Sequence, residues 1–194
     1  MERKKGQQKI GLNMIEILWH GRGGQGAFTA AKLLGAAYSL KDKYSLAFPS
    51  FGPERRGAPV LAFTKLSSRP IGDRSQIKKA DYIIFLDDTL FSPAALNELK
   101  AGGKIFINTK KKINELGLKN GDIEINHLIT FDANSLALEV LKMPVTNTVM
   151  LALLVKESGL LSSEDLLEGM EKLLPEKILG KNLLLVEKVF GGDV

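Results

Sequence analysis

Cysteine is absent from the 194 residues, and histidine occurs only twice, at His20 and His127. Without thiols the chain can form no disulfide and offers no thiolate to an iron–sulfur cluster. Two histidines so far apart in sequence make a poor zinc site. Redox chemistry would therefore need a bound organic cofactor or a second chain. Long hydrophobic runs are lacking too. The longest, "VMLALLV" at 149–155, falls far short of the roughly 20 apolar residues that cross a bilayer. No apolar core follows the basic residues of "MERKKGQQKIGLN", so neither a membrane span nor a secretory signal is expected, and the chain reads as cytoplasmic.

The excess of positive charge is smaller than it looks. Arg3, Lys4, Lys5 and Lys9 against Glu2 account for +3 of the formal +5, all within the first nine residues. The rest of the chain is nearly balanced, so no nucleic-acid surface is called for. Residues 1–13 read as a basic flexible tail and 14–194 as one domain.

Within that domain, short apolar runs alternate with amphipathic ones. Strands are expected at 15–20, 44–49, 59–66, 82–87, 103–108 and 123–130. Helices are expected at 25–41 and 92–101, where Pro93 suits a first turn. After residue 131 the pattern turns helical, with Asp132 and Ser162 or Ser163 as N-caps and Gly159 as a stop. The class is α/β: a three-layer Rossmann-like fold with a mostly parallel sheet and C-terminal helices. The run 59–66 follows its predecessor with no room for a helix and is expected to pair antiparallel, making the sheet mixed.

"GRGGQG", residues 21–26, lies between the first strand and the first helix. Gly21, Gly23 and Gly26 fit G-x-G-x-x-G, Gly24 loosens the loop further, and Arg22 and Gln25 add polar side chains. Unpaired N–H groups at a helix start attract anions, and a missing Cβ lets the anion approach. A dinucleotide site also wants an acid about 20 residues on, where this chain has "AFPSFGP". The Gly-Lys-Ser/Thr ending of a P-loop is missing as well. A tight turn needing glycine for its own sake, a phosphate contact and a full dinucleotide site all stay open.

"FPSFGPERRGAPV", residues 48–60, is a long connection that should emerge at the same sheet edge. Arg55 and Arg56 are its candidate anion contacts; the plainer alternative is that they are solvated while Phe48 and Phe51 cap the core. In "PVTNT", Pro144, Thr146, Asn147 and Thr148 open an apolar helical run, where Asn or Thr either caps the helix or touches a ligand or partner. Asp87 and Asp88 sit at the expected ligand edge, as caps for the next turn or as acceptors for an arginine from a neighbouring chain. His20, at the end of the first strand, either hydrogen-bonds near the glycine loop or, as the plainer expectation, is a satisfied structural histidine.

Taken together, "WHGRGGQGAFTAAKLL", "AFPSFGPERRGAPVLAFTKLS", "SQI" at 75–77, "IIFLDDTL" and "MPVTNTVMLALL" resemble the gamma subunit of the pyruvate:ferredoxin oxidoreductase family, over about residues 15–155. The loop at 48–60 is similar to that of the pyruvate branch rather than the 2-oxoglutarate branch. The resemblance implies a heterotetramer with alpha, beta and delta subunits. That complex converts pyruvate, coenzyme A and oxidised ferredoxin to acetyl-coenzyme A, carbon dioxide and reduced ferredoxin. Thiamine diphosphate and magnesium would sit between alpha and beta, and iron–sulfur clusters on beta and delta. This chain would hold no cofactor alone and no catalytic residue, and would help to enclose coenzyme A.

Coenzyme A carries a pyrophosphate and a 3′-phosphate, which ask for helix N-termini and arginines. Residues 21–26, Arg55, Arg56, Asn147 and Thr148 are thus candidates for coenzyme A or for a partner's carboxylates. A branched-chain 2-oxoacid enzyme sharing this subunit type, a free-standing nucleotide-binding oxidoreductase and a scaffold without ligand contact are the alternatives.

Overall fold

A computed structural model describes residues 14–50, 56–119 and 121–192. The basic tail expected over 1–13, and Arg55, lie outside the described residues. The chain runs β1 (Ile15–Arg22), α1 (Ala27–Ser39), β2 (Tyr44–Pro49), β3 (Pro59–Ser67), β4 (Ala80–Phe85), β5 (Leu99–Asn108), β6 (Leu128–Phe131), α2 (Ala133–Leu141), α3 (Asn147–Ser158), α4 (Ser163–Leu173) and α5 (Glu176–Gly191). Short 3₁₀ turns lie at Asp88–Leu90, Pro93–Glu98, Ile113–Glu115 and Ile125–His127.

The six strands are ordered β2-β3-β1-β4-β5-β6. β1, β4, β5 and β6 pair in parallel, and β3 is antiparallel to both β1 and β2. The mixed sheet expected from the short 49–59 connection is therefore present, with β3 the strand that runs against the rest. Because β1 and β2 point the same way, the end of β1, the end of β2 and the start of β3 meet at one edge.

All five α-helices cover one face. Ile17, Trp19, Ile84 and Phe106 from the sheet meet α1 and the C-terminal helices there in one apolar cluster. Trp19 is fully buried, and its Nε1 donates to Thr64 Oγ1 at 3.0 Å. Every residue of α3 from Asn147 to Val155 is buried, as a run with no polar face requires. Asp132 accepts from Ser135 N and caps α2, Ser162 and Asp165 form a capping box on α4, and Gly159 ends α3 in the left-handed region.

The opposite face is closed by 3₁₀ turns and irregular chain over Leu18, Phe63, Ile83, Phe85, Ile105 and Ile107. Here the sequence-based elements need correction. The helix expected at 92–101 is a 3₁₀ turn over Pro93–Glu98, and residues 99–101 already belong to β5. Leu99 pairs with Ala80 across a register shift, and Lys100 bridges Asp81 at 2.8 Å and Glu16 at 2.9 Å. These tertiary contacts outweigh a weak helical preference. The last strand begins at Leu128 rather than 123, after the 3₁₀ turn Ile125–His127.

The "SQI" stretch belongs to this second face. Lys65 of β3 has a fully buried side chain, and its Nζ donates to Asp73 Oδ2. Ser75 also donates to Asp73 through its backbone N–H (2.9 Å) and its Oγ (2.9 Å), while Ile77 is buried in the cluster. The Lys65 and Ser75 hydrogen bonds hold the Asp73 carboxyl well below the usual carboxylate range. A carboxyl depressed on folding stabilises the fold above its unfolded pKa of about 3.9, and that contribution is lost as pH falls toward the folded value. Asp73→Asn is expected to lower stability at pH 7 and to flatten its dependence on pH below about 4, as urea melts across pH would record. An unchanged acid limb would remove Asp73 as its source.

Candidate functional site

The glycine loop joins the end of β1 to α1. Gly23 N donates to Ala58 O at 2.8 Å, and Gly57 N donates to Gly23 O at 3.1 Å, so the loop is paired with the approach to β3. Gly24 has φ +96° and is exposed. Gly26 has φ +81° and serves as the N-cap of α1. A Cβ built on Gly26 would stand 2.5 Å from Asn147 Nδ2. That glycine is therefore required by the chain's own packing, whatever else the loop does. Asn147 Nδ2 reaches back to Gly26 O at 3.4 Å, so Asn147 lies against the loop instead of capping α3.

Arg22 is a brace. Its Nε donates to Asp87 Oδ2 at 3.0 Å, Nη1 to Gly57 O at 3.1 Å and Nη2 to Thr89 Oγ1 at 2.7 Å. The Gln25 amide joins in, with Oε1 accepting from Arg22 N at 2.7 Å and Nε2 donating to Asp87 Oδ2 at 3.2 Å. Asp87 caps the turn at 88–90 by accepting from Thr89 N. Burial disfavours the charged Asp87, yet hydrogen bonds from Thr89, Gln25 and Arg22 hold its carboxyl below the ordinary value. Asp88 points elsewhere, accepting from Thr109 Oγ1 at 2.8 Å and pairing with Lys111 at 3.0 Å. Asp87 is therefore a cap, as one of its two expected roles had it, and the arginine it receives belongs to this chain and not to a neighbour.

A cleft of about 1120 Å³ opens beside this loop. Gly23, Gly24, Gly26 and the first residues of α1 line it on one side, and Arg56, Ala58, Pro59 and Val60 on the other. The α1 end facing it has no side-chain cap and no acid in its first turn, which leaves its positive pole available to an anion. Arg56 is exposed. His20 also lines the cleft, stacked on Phe85 with ring centroids 4.4 Å apart and with Nε2 3.1 Å from Glu98 Oε2. Burial pushes its pKa below the usual value against the pull of Glu98. His20 is a satisfied structural histidine, held by Glu98 and Phe85 and not by the glycine loop.

The structure thus gathers Gly21, Arg22, Gly23, Gly24, Gln25, Gly26, Arg56 and Asn147 around one edge, while Thr148 turns away. Thr148 is buried, and its Oγ1 donates to Asn182 Oδ1 at 2.6 Å between α3 and α5. Sequence reasoning missed Thr89, Gly57 and Ala58 as the loop's supports. The only trace of them was an Asp-x-Thr spacing just after an apolar strand.

The profile of the family described as pyruvate ferredoxin/flavodoxin oxidoreductase matches residues 16–191, nearly the whole chain. The chain belongs to that family. The common gamma subunit of the pyruvate and ketoisovalerate oxidoreductases of Thermococcus kodakarensis is 40% identical over 182 residues, covering 93% of this chain and 98% of that relative. The pyruvate synthase subunit PorC of Methanothermobacter thermautotrophicus is 42% identical over 170 residues, covering 87% and 90%. The crystal structure of the Thermotoga maritima pyruvate oxidoreductase subunit PORC superimposes with a TM-score of 0.77 at 32% identity, covering 92% of this chain and 96% of its own. The resemblance carried by the glycine loop and the 48–60 stretch is borne out. In the family's terms this is a gamma-type oxidoreductase subunit with a mixed α/β sheet and C-terminal helices. Among its described residues no helix is long and apolar enough to cross a membrane.

Proposed function

We propose that this chain is the gamma subunit of a pyruvate:ferredoxin oxidoreductase, assembled with alpha, beta and delta subunits, and that its cleft receives the phosphates of coenzyme A. One observation carries the ligand: the uncapped N-terminus of α1, the glycine loop and Arg56 face a common space. Helix N–H groups and a planar guanidinium are what a pyrophosphate and a phosphomonoester bind. Arg22 has a different task. Its guanidinium is spent on Asp87, Thr89 and Gly57, so it shapes the loop and leaves Arg56 as the described arginine for a phosphate. The subunit assignment draws on the similarity to gamma chains over almost their full length and on the lack of any cysteine for a cluster. The thiolates, the thiamine diphosphate and its magnesium would come from partner chains.

Titration calorimetry of the assembled complex with coenzyme A tests this. Arg56→Ala should assemble normally and bind coenzyme A about tenfold or more weakly, the scale of a lost charge-assisted hydrogen bond. Unchanged affinity would remove Arg56, and with it this placement of the phosphates. Elution of the native chain alone under gentle conditions would remove the subunit assignment.

A further inference from the structure

A second cavity, of about 280 Å³, lies between α1, the α2–α3 connection, α3 and α5. Its apolar lining comes from Leu33, Leu141, Val145 and Leu174. Met143 and Ile178 also line it and are 57% and 44% exposed, high values for large apolar side chains. Lys177 and Lys181, one turn apart on α5 and both exposed, complete it, and no carboxylate lines it.

Three of the polar side chains in its wall are already paired with other groups of the chain, and Thr29 sits exposed at its border. Thr148 Oγ1 donates to Asn182 Oδ1, Asn182 Nδ2 donates to Ile178 O, and Asn147 Nδ2 reaches toward Gly26 O. Those three paired side chains ask nothing of a polar ligand. What it offers is apolar contact inside and positive charge outside.

We infer that this cavity is a socket for another subunit of the same oxidoreductase, which inserts one large apolar side chain flanked by carboxylates. The inference rests on the subunit reading above. Ile178 and Met143 are the anchor contacts, since buried apolar residues at the centre of an interface dominate its affinity. Lys177 and Lys181 form the rim, which steers association and discriminates against unsuitable partners. The socket is separate in lining from the cleft beside the glycine loop except at Thr29, which borders both. A partner seated here would therefore lie next to the exposed Thr29 in the first turn of α1 without filling the cleft.

Binding of the full-length chain to the remaining subunits, measured by interferometry at low and high salt, is the test. Ile178→Glu should weaken assembly by roughly thirtyfold or more, mainly through faster dissociation. Lys177→Glu/Lys181→Glu should weaken it about tenfold at low salt by slowing association, with the difference shrinking at high salt. Both alter exposed side chains, so thermal melts of the isolated chain should not move. If Ile178→Glu does unfold the chain, the lysine pair carries the test alone. Wild-type affinity in the lysine variant at low salt would overturn the inference. So would a small amphiphilic anion retained by the isolated wild-type chain in native mass spectrometry and lost in Ile178→Glu. A chain that assembles with no partner at all fails the subunit reading. A chain that assembles normally despite these substitutions fails the socket alone.

Discussion

Gly169→Ala is expected to destabilise the chain by about 1–3 kcal/mol, and Gly169→Val to reach or exceed the upper end of that range. A helical glycine exposed to solvent normally gains up to about 1 kcal/mol on becoming alanine. Gly169 of α4 has the opposite expectation because it lies directly on α1. A Cβ there would stand 2.5 Å from Ala37 Cβ, 2.6 Å from Ala37 Cα and 2.9 Å from Ala37 N. Two of those three atoms are backbone, so no rotamer relieves the contact and the helices must separate. Separation would loosen Leu166 and Met170, both fully buried. Urea denaturation gives the measurement. Adding Ala37→Gly to Gly169→Ala should restore only part of the loss, since Cα and N remain. Gly180→Ala, on α5 with nothing within 4 Å of the new Cβ, is the control and should stabilise by about 0.5–1 kcal/mol. Equal gains at the two positions would contradict the α1–α4 packing.

Gly26→Ala should cost about 1–3 kcal/mol, the scale of a residue held in the left-handed region against its preference. Two separate causes operate here. One is φ +81°, which any L side chain resists. The other is the collision with the Asn147 amide. Removing the amide with Asn147→Ala relieves only the second, so the double variant should be less destabilised than the sum of the singles. In the assembled complex, Gly26→Ala should also raise the KM for coenzyme A, because it displaces the first N–H groups of α1. Arg22→Lys is expected to act on the same property through a longer route, by loosening the brace. A Gly26→Ala chain as stable as the parent would mean that neither constraint operates.

The fold was legible wherever a local rule had little competition. The α1 segment, the caps at Asp132 and Ser162, and the stop at Gly159 follow from short-range chemistry, and all are present. The antiparallel β3 was readable because the nine residues between β2 and β3 leave no room for a crossover helix. The 92–101 segment misled because its alanines and leucines suit a helix, while Lys100 is claimed by Glu16 and Asp81 from distant strands. At the site, the glycines announced a loop but not its supports. Arg22 looked like a ligand because its acid lies 65 positions away. Thr148 looked like a cap or contact because its acceptor, Asn182, lies two elements further along the fold, on α5. Long-range pairing of this kind has no periodic trace in a sequence.

The Arg22 brace also bears on how the loop can be transplanted. One guanidinium fastens three stretches that are far apart in the chain: the end of β1, the entry to β3 and the turn after β4. A hybrid that borrows only residues 21–26 from a related subunit would import glycines without the frame that shapes them. The smallest exchangeable unit is discontinuous and comprises the six loop positions together with Gly57, Asp87 and Thr89.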